Sequence, residues 1–73
     1  MEPKLVGEKV KKLIEERNVT YQEFAKKLGI SVRSLQKKLS GEEEFYVSEV
    51  IEITEIFDLD IKTVSKIFFS SDK

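Results

Sequence analysis

The stretch TYQEFAKKLGISVRSLQKKLSG, residues 20–41, places two helical patterns either side of a single glycine. Thr20 followed by Glu23 forms a capping box, in which each side chain satisfies the other's orphan backbone amide. Val19 and Phe24 flank that box as a hydrophobic staple. Together they predict a helix over residues 21–28 that ends at Gly29, where a helix stop often needs φ > 0. Ser31 caps a second helix over residues 31–40, with Ile30 and Leu35 as its staple and Gly41 as its stop. Gly29 and Ile30 are too short a link to lay two helices antiparallel along their length. The spacing favours instead the steep crossing of a helix-turn-helix, with small Ala25 allowing close approach. Leu28, Ile30 and Leu35 then fill the wedge between the two helices.

The flanking sequence supplies three more helices. Pro3 suits a first helical turn, and Leu5, Val6, Val10, Leu13 and Ile14 recur at helical spacing, so a helix is expected over residues 3–17. Asn18 is its expected left-handed end cap. Gly7, inside that helix, either permits close packing or is merely tolerated. Val47, Val50, Ile51, Thr54 and Phe57 form the expected inner stripe of a helix over residues 47–57, whose start is weak because Tyr46 stands where Ser or Thr would cap better. Asp60, between Leu59 and Val64, repeats the cap-and-staple device and opens a last helix over residues 61–69. Ile61, Val64 and Phe68 are its expected inward stripe. The reading is an all-α, five-helix single domain spanning residues 1–73, with residues 70–73 a frayed tail. Leu28, Leu35, Leu39, Phe45, Val50 and Phe57 are its expected core.

Composition narrows what such a domain can do. At 73 residues the chain buries only about 60% of its unfolded surface, so it holds one small core. Apolar residues make up 40% and charged residues 37%, a mix suited to a folded helical domain. No apolar run approaches the ~20 residues of a membrane span, and the N-terminus lacks the apolar stretch of a signal peptide. A cytoplasmic protein is the default expectation. Cysteine and histidine are both absent, which removes disulfides, the usual transition-metal ligands and the base of most catalytic triads. No enzyme, cofactor, metal or small-molecule ligand is therefore expected. The net charge of −1 conceals an uneven distribution: residues 1–41 carry +5 and residues 42–73 carry −6. A basic half can meet phosphate even in a nearly neutral chain.

Phe24, Ala25, Leu28, Gly29, Ile30, Ser31 and Leu35 resemble the helix-turn-helix of the lambda repressor and Cro family. The resemblance runs from about Leu5 to Phe69. Lys38, Leu39, Gly41 and Phe45 are similar in placement to residues of short repressor-like proteins of phages and mobile elements in Firmicutes. The resemblance implies a sequence-specific transcriptional regulator of double-stranded DNA, acting at the bacterial nucleoid, whose helix over residues 31–40 enters the major groove. Ser31, Val32, Arg33, Gln36 and Lys37 stand at the places that face bases. Their chemistry fits: Arg33 can donate two bonds to guanine O6 and N7, Gln36 can pair with adenine, and Val32 can touch a thymine methyl. The expected phosphate contacts are Tyr21, Gln22, Lys26, Lys38 and Ser40, aided by the positive end of the helix over residues 21–28. Tyr21 departs from the Gln common in the family, so either Tyr21 or Gln22 makes that contact.

Family members often carry Lys or Arg where this chain has Glu42, Glu43 and Glu44. A loop turned to solvent explains that run, whereas a loop facing DNA would weaken binding or redirect it to protein. Relatives usually dimerise, so a homodimer on DNA is expected, with Ile67 or Phe69 as candidate contacts. The alternative class is a helix-turn-helix reused as a protein-interaction module, an antirepressor or adaptor. Glu49, Glu52, Glu55 and Asp58 motivate that alternative by giving the fourth helix an acidic character.

Overall fold

The structure, a computed structural model, describes residues 3–69. Its elements are α1 (Pro3–Glu16), α2 (Tyr21–Leu28), α3 (Val32–Leu39), α4 (Val47–Ile56) and α5 (Ile61–Val64), the last running into a π-helical turn, Ser65–Phe69. Among the described residues there is no strand, and the fold is all-α. No described helix is long and apolar enough to cross a membrane. The tail over residues 70–73 lies outside the described residues.

Three of the four connections repeat one turn. Asn18, Gly29 and Asp58 each take a left-handed backbone, at φ 56°, 75° and 51°. The next residue, Val19, Ile30 or Leu59, is half-buried against the core, and its amide reaches back five residues to the preceding helix. Thr20, Ser31 or Asp60 follows and accepts the amide three residues on. Each turn thus satisfies the orphan carbonyls of one helix and an orphan amide of the next. The Thr20–Glu23 capping box is present in full.

The two C-terminal helices bury different faces from those expected. In α4 the buried residues are Glu49, Val50 and Ile53, followed by Phe57 just beyond the helix. Val47 and Ile51, expected inside, are 77% and 54% exposed. Glu49 sets this phase: its Oε1 accepts the Tyr46 amide at 2.8 Å and the Lys38 ammonium at 2.9 Å, which turns the first helical turn inward at Glu49. In the last helix, Ile61 is 82% exposed, while Ile67 and Phe68 are both buried. The π-helical turn widens the helix after Val64 and brings these two neighbours onto the core side together.

Around a centre of Val10, Ile14, Phe24, Leu35, Ile53 and Phe68, Phe24 stacks on Phe57 at 5.3 Å and Phe45 meets Phe68 edge-on at 6.4 Å. Each fully buried side chain of this size contributes about 1.5–3 kcal/mol. Gly7 lets α1 pass directly over the end of α3: a Cβ there would collide with the Leu39 carbonyl oxygen and lie 2.8 Å from that of Lys38. Of the two explanations for Gly7, close packing is the one the fold uses.

Candidate nucleic-acid interface

Leu35 and Leu39 anchor α3 in the core, so the opposite side of the helix faces outward. Arg33, Gln36 and Ser40 are exposed there, and Lys37 is half-buried beside them. Gln36 and Ser40 sit between two adjoining open hollows. One, of about 250 Å³, adds Lys11, Tyr21 and Leu39. The other, of about 400 Å³, adds Arg33, Lys37 and Glu42. The outward side of α3, the start of α2 and one residue of α1 therefore form a continuous donor-rich surface, bordered by the Glu42 carboxylate and open among the described residues.

The remaining residues expected at this face divide. Ser31 is exposed, but its Oγ accepts the Ser34 amide at 3.0 Å, leaving its proton available for donation. Val32 is half-buried against the core and offers only part of its surface. The Ser40 hydroxyl donates to the Lys37 carbonyl at 3.0 Å, so it meets an outside partner as an acceptor. A phosphate contact would require that bond to break. Gln22 and Lys26 are exposed on α2. Tyr21 is half-buried against the core and borders the hollow that Gln36 and Ser40 line.

Lys38 is a correction. It is 3% exposed, its Nζ donating to Glu49 at 2.9 Å and to the Glu44 carbonyl at 3.2 Å, with the Tyr46 ring 4.1 Å away. An ammonium enclosed in this way cannot reach a phosphate. Glu49, 5% exposed, is likewise removed from the acidic surface of α4. Ile67 is buried and gives no free dimer contact, whereas Phe69 is 64% exposed. Lys11 was missed. Its spacing of seven from Lys4 along α1 is the signal that puts two cations on one helix face.

The acidic run does not act as a unit. Glu42 borders the hollow of Arg33 and Lys37, whereas Glu43 and Glu44 border another hollow with Phe45, Tyr46 and Val47. A separate apolar groove of about 350 Å³ lies between α4 and the last helix, lined by Val47, Val50, Ile51, Thr54, Glu55, Val64 and Phe69. Among the described residues, no three acidic side chains are grouped to hold a metal ion.

These features define a small all-α domain whose second and third helices, joined by a tight left-handed turn, present one open polar face. The chain belongs to the family described as Protein of unknown function (DUF739), whose profile matches residues 4–71. Neither a curated protein nor a solved structure matches it.

Proposed function

We propose that this domain is a sequence-specific double-stranded DNA-binding regulator of the lambda repressor and Cro type, a phage or mobile-element repressor that sets α3 in the major groove. The observation that carries this reading is the uncovered side of α3, where Arg33, Gln36 and Lys37 converge with Tyr21 and Lys11. A guanidinium, a carboxamide and an ammonium on one convex helix match the guanine and adenine edges of the major groove. The α2 N-terminus, with Tyr21 and Gln22, is suited to a backbone phosphate, and Lys11 and Lys26 flank it. The regulator acts by occupying a promoter in the cytoplasm, at the bacterial nucleoid.

A single half-site offers few contacts, so two copies bind about 34 Å apart on a near-palindrome. The apolar groove beside Ile51 and Phe69 is the surface that would face the second copy. Selection of bound duplexes from a random pool tests the whole reading. The expected result is a short, near-symmetric motif bound less tightly as salt rises. Arg33→Ala should cost about 1–3 kcal/mol and relax one base position per half-site. Recovery of no motif would remove the proposal.

The same groove favours a second reading, a protein-interaction module. NMR separates the two. Duplex DNA should shift the amides of residues 21–40 under the first reading and leave them unmoved under the second.

A further inference from the structure

We infer that Glu42 reads the cytosine of a G·C pair whose guanine is held by Arg33 or Lys37, an inference that rests on the DNA-binding reading above. Glu42 is the member of the acidic run that shares a hollow with the outward side of α3. Its position is fixed by main chain. The Glu42 and Glu43 amides both donate to the Lys37 carbonyl, at 2.9 and 3.2 Å, folding the loop back over the end of α3. Gly41 makes that fold with φ at 86° against α1, where any Cβ would lie 2.6 Å from the Lys4 Cα. Glu42 consequently leaves the turn on the side of Arg33 and Lys37. Among the described residues no ion pair or hydrogen bond engages its carboxylate.

An ionised carboxylate only accepts hydrogen bonds. On the major-groove edges the donors are the amino groups of cytosine and adenine, while guanine O6, thymine O4 and phosphate repel it. The hollow offers donors at Arg33 and Lys37 and an acceptor at Glu42. A G·C pair offers the reverse, acceptors at guanine O6 and N7 and a donor at cytosine N4. One base pair thus satisfies the Glu42 carboxylate together with one of the two cations. On random DNA the same carboxylate opposes binding, which widens the margin between the right sequence and the wrong one.

Duplex selection with the wild-type chain, Arg33→Ala and Glu42→Ala tests this. Glu42 is exposed, so its replacement leaves the fold intact. The wild-type motif should contain a cytosine in each half-site whose preference, about 5- to 150-fold over other bases, flattens in Glu42→Ala while the rest of the motif persists. Binding of Glu42→Ala to random duplex should tighten. If Glu42→Ala keeps every base preference and binds all duplexes more tightly, Glu42 merely repels phosphate and this proposal falls alone. A wild-type pool without any motif overturns the DNA reading itself, and the Glu42 proposal with it.

Discussion

The Lys38 ammonium lies against the Tyr46 ring and hydrogen-bonds Glu49, both groups nearly sealed from solvent. Breaking such a pair from one side strands a buried charge. Lys38→Ala should therefore lower stability by about 3–5 kcal/mol, read as a loss in urea unfolding. Lys38→Met combined with Glu49→Gln should recover most of that loss, because the amide oxygen still accepts the Tyr46 amide. A double variant as unstable as Lys38→Ala would show that the pair is not the source. Any DNA-binding defect of Lys38→Ala would follow from this loss of stability. The sequence does not mark Lys38 and Glu49 as partners, since the two residues stand eleven apart on different helices and are of types that ordinarily face water. Half of the signal was present: Glu49 follows Tyr46 at capping-box spacing, but a tyrosine in the cap position obscured it. By contrast, the outward placement of Arg33 and Gln36 was legible from two leucines alone, because Leu35 and Leu39 orient the helix.

At the scale of elements, helix starts and stops were readable wherever a short polar side chain ends the chain's freedom locally. The stop at Asn18 and the caps at Thr20, Ser31 and Asp60 are of that kind, the left-handed turn at Asp58 was not foreseen, and α1, α2 and α3 lie within a residue of their expected bounds. The phase of α4 was not readable, because Glu49 sets it through a bond to Lys38 on another helix, and the π-helical turn leaves no mark in the residue pattern. Asp60 gives the last helix a dependence on pH. Its exposed carboxylate is held below the usual aspartate range, first by its side-chain hydrogen bond with Thr63 and then by the Thr63 amide. A depressed folded value means that the unfolded chain takes up the proton first as pH falls. The cap contributes fully above the ordinary aspartate value of about 4 and is lost as pH drops through the lower, folded value. Amide protection over residues 61–66, taken relative to the intrinsic exchange rate at each pH, should fall in that acidic window, and Asp60→Asn should remove the dependence. Unchanged protection in the wild-type chain across that window would count against the cap.

Across the whole molecule, the polar face of α3 and the apolar groove of α4 are separate surfaces on a body about 32 × 25 × 22 Å. The groove holds the apolar residues that the expected stripe of α4 placed inside, Val47 and Ile51, together with Val64 and Phe69. If two copies meet there, Ile51→Lys should leave the fold unchanged, abolish the concentration-dependent dimer in sedimentation, and weaken binding to a two-half-site duplex by about 10²-fold or more. Binding to a single half-site should not change. A dimer that survives both Ile51→Lys and Phe69→Ser would move the contact elsewhere. The charge division between the halves of the chain was visible from the start, yet only the fold shows that Glu49 is spent internally.

Gly7 carries a consequence for how such a domain can diversify. Because α1 touches the end of α3 through carbonyl oxygens, the seating of that helix depends on backbone, two leucines and the buried Lys38 rather than on its outward side chains. Positions 33, 36 and 37 can thus be rewritten with little structural penalty. Under the DNA-binding proposal, domains built on this scaffold would change target by exchanging these three surface residues, while the chassis that holds them stays as it is.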